Sequence, residues 1–134
     1  MNILFVCTGN VARSQIAEGY FKRLFLGHKV KSAGTSAKQY SSYRLGSFDN
    51  ISKCMREVGI NISNKKPKQL TGKMLEESDL IIWMSQDDPY MYTLGKKKVI
   101  KWNVLDPAGQ SYDFYCKVRN HIEGLVKNLE SRLN

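Results

Sequence analysis

Histidine is scarce, cysteine is unpatterned, and no apolar run approaches the length needed to cross a membrane. The 134 residues hold two histidines and three cysteines. Cys7, Cys54 and Cys116 form no even set and contain no Cys-x-x-Cys, which argues against a disulfide framework or a cysteine-type metal site and favours a reducing, cytosolic setting. His28 and His121 stand in no cluster and read as surface residues, so no metal and no other cofactor is expected. Met1 runs almost directly into strand residues, without the charged and apolar regions of a signal peptide, so a cytoplasmic protein is expected, with no membrane partner. Negative charge is also in short supply: 12 acidic residues against 21 basic ones give a formal net charge of +9. The lysines gather at Lys65, Lys66, Lys68 and Lys73, and again at Lys96-Lys97-Lys98 and Lys101. Neither cluster comes with stacking aromatics or a recognition helix, so no specific nucleic acid is expected. Both read as solvated faces whose excess charge raises the local concentration of anionic substrates.

The chain also lacks linkers, repeats and low-complexity tracts, which implies one domain over residues 1–134, long enough to bury a full core unaided. Its apolar pattern alternates between strand and helix. Asn2 to Val6 reads as a buried strand, Gln15 to Leu26 as an amphipathic helix ended by Gly27, and Lys29 to Ala33 as a second strand closed by Gly34. Tyr40 to Gly46 is irregular and aromatic. Phe48, Ile51, Met55 and Val58 recur at helical spacing, with Gly59 placed as the residue after the cap. Leu80 to Met84 reads as a third strand, after which Ser85 and Asp88 resemble a capping box. Val99 to Trp102 is a fourth strand. A long terminal helix follows, marked by Phe114, Val118, Ile122, Val126, Leu129 and Leu133. This alternation predicts an α/β doubly wound, three-layer fold around a four-stranded parallel sheet.

Chemistry is concentrated at the end of the first strand, in Cys7-Thr8-Gly9-Asn10-Val11-Ala12-Arg13-Ser14. A strand-loop-helix turn aims backbone N–H groups into one concavity, to which the helix dipole adds positive potential. A cysteine on the floor of that nest is expected to be largely thiolate. Arg13 offers a planar fork that matches two oxygens of a tetrahedral oxyanion. Gly9 and Asn10 tolerate the left-handed backbone a tight nest needs, and Ser14 is placed to donate to the sulfur. In a doubly wound sheet this position lies at the carboxyl edge, where ligands bind. Asp106 follows the last strand and should reach the same edge. It fits either a general acid or the common turn aspartate before proline, since Pro107 comes next. Cys54 and Cys116 fall within helical patterns and read as small buried hydrophobes.

The opening loop, Ser32-Ala33-Gly34-Thr35, Gly59-Ile60-Asn61-Ile62-Ser63, Ser78-Asp79-Leu80-Ile81-Ile82 and Asp106-Pro107, in this order, resemble the low-molecular-weight protein tyrosine phosphatases and their relatives, the thioredoxin-coupled arsenate reductases. The resemblance runs nearly end to end and implies a phosphatase I-like fold. It implies hydrolysis of a phosphorylated protein or small phosphate ester through a phosphocysteine on Cys7. Arg13 and the N–H groups of residues 8 to 13 (Thr8, Gly9, Asn10, Val11, Ala12 and Arg13) would hold the phosphate or arsenate oxyanion. Asp106 would serve as acid and then base, with Asn10 and Ser14 supporting the loop. Val11 at the rim suits phosphotyrosine and also other phosphorylated side chains, phosphoarginine among them. Ala12 stands where many members carry a second cysteine, so an intraloop disulfide is excluded. Ala108 after Asp106-Pro107 is closer to the reductases, yet Met84-Ser85-Gln86-Asp87-Asp88 lacks their redox cysteines. Two alternatives to the phosphatase therefore stand: an arsenate reductase using an external thiol, and a non-catalytic anion-binding or redox-sensing module.

Overall fold

A run of large apolar residues, Ile3-Leu4-Phe5-Val6, begins the sheet on which everything else is hung. In the computed structural model, which describes residues 1–93 and 98–133, this run lies in β1, Asn2–Cys7. The chain continues through α1 (Arg13–Leu24), β2 (Lys29–Gly34), α2 (Asp49–Glu57), α3 (Gly72–Glu77), β3 (Leu80–Trp83), α4 (Tyr90–Thr93), β4 (Lys98–Lys101) and α5 (Tyr112–Lys127). Short 3-10 turns occupy Lys38–Tyr40, Leu45–Ser47 and Asn128–Arg132.

All strand pairs are parallel and the order is β2-β1-β3-β4. The pleat of β1 divides the core into two layers. Ile3, Phe5 and Cys7 face a cluster with Ile16, Tyr20 and Phe21 of α1 and Val118, Ile122 and Val126 of α5. Leu4 and Val6 face the opposite cluster with Leu75 of α3, Ile81 and Trp83. Helices thus cover both faces, as the doubly wound pattern predicts. The path from β1 to β2 runs one way across the sheet, and β3 joins β1 on the other side. The switch point is the carboxyl end of β1, between β2 and β3.

Several boundaries differ from the sequence reading. Helix α1 begins two residues earlier than expected and ends at Leu24, leaving Leu26 86% exposed and Gly27 in a turn at a φ of 92°. The terminal helix is not continuous: α5 stops at Lys127 and tightens into a 3-10 turn over Asn128–Arg132, with Leu129 still buried. Ser85 and Asp88 form no capping box. Ser85 turns inward, and Asp88 Oδ1 accepts from the Tyr90 N–H at 3.0 Å to start α4. Helix α3, absent from the sequence reading, starts on a Thr71 cap that accepts from the Met74 N–H at 3.2 Å. Gly59 takes the expected left-handed φ, 82°, just after α2. Lys96 and Lys97 lie outside the described residues. No helix among the described residues is long and apolar enough to cross a membrane.

Candidate active site

Strand β1 delivers Cys7 to the switch point, and the six residues to Arg13 fold into a loop behind which α1 begins. The loop is tight because another backbone lies against it. A Cβ on Gly34, at the end of β2, would stand 2.5 Å from the Thr8 carbonyl oxygen and 2.8 Å from the Asn10 nitrogen, so only glycine fits there. Thr35 and Ser36 then donate their N–H groups to the Cys7 and Thr8 carbonyls, both at 2.9 Å. The left-handed residue in the loop is Asn10, with a φ of 53°. Gly9, expected to share that conformation, does not, and a Cβ there would only touch the Tyr40 ring at 3.5 Å, an ordinary contact.

Cys7 is 2% exposed and its sulfur has two partners within the loop. The Ser14 hydroxyl lies 2.9 Å away and the Asn10 N–H donates from 3.3 Å. Asn10, wholly buried, ties the loop down in several directions. Its Nδ2 donates to Ser14 Oγ at 2.7 Å and to Ser32 Oγ at 3.1 Å. Its Oδ1 accepts from Gln15 Nε2 at 3.1 Å and from the Lys68 N–H at 2.8 Å. Behind Ser32, Glu18 accepts the Ser32 hydroxyl at 2.7 Å and the Lys65 and Lys22 ammonium groups at 2.7 and 3.0 Å. Burial pushes the Glu18 carboxyl up, but the hydrogen bonds from Lys65 and Ser32, with the Lys68 and Lys22 charges, outweigh it and hold the group down at about 2.

Arg13 is 2% exposed, and its guanidinium is anchored from the neighbouring strands. Nη1 donates to the Met84 carbonyl beyond β3 at 2.8 Å and to the Val104 carbonyl beyond β4 at 3.2 Å. Nη2 faces Asp106 Oδ2 at 3.6 Å. Asp106 is half-exposed and its other oxygen accepts the Ala108 N–H at 3.0 Å, so it also makes the turn expected of an aspartate before proline.

Cys7, Thr8, Gly9, Val11, Ala12, Arg13 and Asp106 line one cleft of about 300 Å³. Tyr40 and Phe48, packed edge to face 6.4 Å apart, line it from one side, while Tyr115 of α5 lines it with Ala108 and Gly109. Asn10 and Ser14 do not reach the cleft and act from behind it. Thr8 lines the cleft and its hydroxyl meets Ser85, whose buried hydroxyl joins Thr8 and Thr35 at 3.2 and 3.1 Å.

Several of these residues escape sequence reasoning. Lys65 and Lys68, read as part of a solvated face, are partly buried behind the loop, Lys65 by its side chain on Glu18 and Lys68 by its backbone on Asn10. Glu18 shows in the sequence only as the first half of an i,i+4 pair with Lys22, because the partners that place it behind the loop, Ser32 and Lys65, are 14 and 47 residues away in the chain. Tyr115 lies within the terminal helical pattern, which gives it no signal of its own. Cys54 is fully buried on α2, where burial raises its thiol to about 11, whereas Cys116 on α5 is only partly buried. His121 is exposed as expected, but His28 is half-buried with Nδ1 3.3 Å from the Met1 amino group. No group of three or more potential metal ligands gathers among the described residues.

The chain resembles known proteins along nearly its whole length. Arsenate reductase 1 of Staphylococcus epidermidis is 33% identical over 135 residues, a stretch covering 98% of this chain and 96% of that protein. A low molecular weight protein tyrosine phosphatase from T. tengcongensis is 28% identical with a TM-score of 0.81, covering 99% of each chain. The YwlE arginine phosphatase, solved as a cysteine-to-serine mutant with its active-site serine phosphorylated, is 28% identical with a TM-score of 0.81, covering 99% of this chain and 95% of that one. Residues 2–134 match the low molecular weight phosphotyrosine protein phosphatase family, and the chain belongs to it.

Proposed function

We propose that this protein is a phosphomonoester hydrolase of the protein tyrosine phosphatase type, working through a phosphocysteine on Cys7. The observation that carries this reading is the convergence of the Cys7 sulfur, the Arg13 guanidinium and the Asp106 carboxyl on one cleft at the sheet's switch point. In the first step the Cys7 thiolate attacks phosphorus and the ester P–O bond breaks. The departing oxygen takes the proton of the Asp106 carboxyl. In the second step water attacks phosphorus, gives its proton to Asp106 and displaces the Cys7 thiolate, releasing phosphate. Arg13 Nη1 is already committed to two carbonyls, which leaves the Nε–Nη2 edge as the fork for two oxygens of the transferred group. The loop N–H groups take up the remaining charge as it develops. The reading includes a cytoplasmic protein acting as one domain on a phosphorylated protein or small phosphate ester.

A second reading, arsenate reduction with an external thiol, is favoured by the 33% identity to arsenate reductase 1 of S. epidermidis. The segment 84–88 after β3 offers no cysteine to relay the oxidation. Two assays decide between them, each run on wild type and Cys7→Ser: release of phosphate from an aryl phosphate, and thiol-coupled reduction of arsenate. The expected result is ester hydrolysis that Cys7→Ser abolishes while the fold and phosphate binding persist, with no sustained arsenate turnover on thioredoxin alone. Sustained arsenate turnover with no ester hydrolysis promotes the reductase. Inactivity in both with phosphate still bound promotes an anion-binding module.

A further inference from the structure

The turn that brings Asp106 to the cleft carries almost no bulk of its own. Ala108 and Gly109 line the cleft just after Pro107. A Cβ placed on Gly109, whose φ is 76°, would meet nothing within 4 Å, so this side of the cleft is open. The Tyr40 and Phe48 rings wall another side. Beside Asp106 the wall comes from a different element: Tyr115 reaches the cleft from near the start of α5. Its ring is half-buried and packs against the core layer that also holds Cys7 and Ala12. Burial raises the Tyr115 phenol and the Asp106 charge raises it further, which sets the carboxylate beside the ring and keeps the phenol neutral.

A leaving group must present its oxygen to the acid that protonates it, so its first atoms lie next to Asp106. Tyr115 then meets those atoms, and only a flat leaving group can cover its ring as well as the Tyr40 and Phe48 rings. We propose that Tyr115 determines specificity by packing its ring on the leaving group, and that the bare Ala108–Gly109 side lets the site take wide aryl phosphates, fused rings included, in preference to alkyl ones. The inference deepens the phosphomonoesterase reading and rests on it for the position of the leaving group. Its two parts separate: the ring supplies the aromatic preference, and the missing bulk at Ala108 and Gly109 supplies the tolerance of width.

The test is isothermal titration with phenylphosphonate, 2-naphthylphosphonate, butylphosphonate and inorganic phosphate, none of which can be cleaved. The proteins are wild type, Tyr115→Ala, Tyr115→Phe and Ala108→Phe, with thermal melting to establish folding. Wild type should bind both aryl phosphonates roughly tenfold more tightly than butylphosphonate. Tyr115→Ala should lose that preference while its affinity for inorganic phosphate stays within about twofold, and Tyr115→Phe should keep the preference. Ala108→Phe should weaken 2-naphthylphosphonate by about tenfold and phenylphosphonate by less than about threefold. A merely structural tyrosine would lower the affinity for all four ligands together, and that result overturns the proposal. An aryl preference that survives Tyr115→Ala overturns it too. If Tyr115→Ala does not fold, Ala108→Phe decides alone, because Ala108 is exposed and outside the core; undiminished binding of 2-naphthylphosphonate then overturns the proposal. Aryl-selective binding by a wild type that hydrolyses no phosphate ester would overturn the hydrolase reading and leave this one standing. Ester hydrolysis that Cys7→Ser abolishes, without any aryl preference, would do the reverse.

Discussion

Asp106 divides its carboxylate between two tasks, one oxygen accepting the Ala108 N–H and the other facing Arg13. Asparagine keeps an oxygen for the turn but has no proton to give at the pH of the reaction. Asp106→Asn should therefore slow an aryl phosphate with a poor leaving group by roughly a hundredfold or more, and one with a good leaving group much less. Rates across a leaving-group series check this; a uniform loss would reduce Asp106 to its turn role. Gly34 makes a different kind of demand, because its constraint is space. Its missing Cβ would press on two backbone atoms of the loop, at 2.5 and 2.8 Å, and neither belongs to a flexible side chain. Gly34→Ala should cost about 1–3 kcal/mol in denaturant unfolding and depress turnover more than its stability loss explains, because the loop is what moves. At this scale Cys7, Arg13 and Asp106 were legible in the sequence, through spacing and through their positions after strands. Glu18, Ser32 and Lys65 were not, since each owes its place to a partner the chain brings from elsewhere.

Among the elements, α1 connects the site to the protein's stability. It presents Arg13 and Ser14 at its first turn and Glu18 one turn later, so one helix supplies the oxyanion fork, the sulfur's partner and the buried carboxylate. Because Glu18 titrates lower in the folded chain than in the unfolded one, its contribution is present above about pH 4.5 and is lost as pH falls toward about 2. That window carries on the order of 3 kcal/mol. Melting temperatures should fall through it in wild type, whereas Glu18→Gln, less stable at neutral pH, should show a flatter profile over the same range. Strand positions and the main helices were legible from periodicity. Ends were harder, because apolar residues such as Leu26 continue the pattern without being buried, and because Ser85 has the composition of a cap while its hydroxyl is used by Thr8 and Thr35. Helix α3 is short, and its one buried residue, Leu75, is too little to make a period.

Across the whole molecule, parallel pairing in the order β2-β1-β3-β4 places the carboxyl ends of three adjacent strands around one guanidinium. The doubly wound plan could be read from alternating elements, but this meeting point depends on strand order, which no local pattern encodes. Arg13 holds the ends of β3 and β4 through the Met84 and Val104 carbonyls and thereby fastens the sheet across its width. A ligand that engages Arg13 therefore binds a group that exists only when all three strands are in place, and the unfolded chain has no equivalent. By mass action, inorganic phosphate at a hundred times its dissociation constant should add about 2.7 kcal/mol to global stability. The melting temperature should rise by several degrees with phosphate, and Arg13→Met should lose that rise together with part of the stability measured without ligand. Occupancy of the cleft would then set the lifetime of the whole polypeptide against unfolding and proteolysis, so that abundance as well as activity would follow the supply of oxyanion.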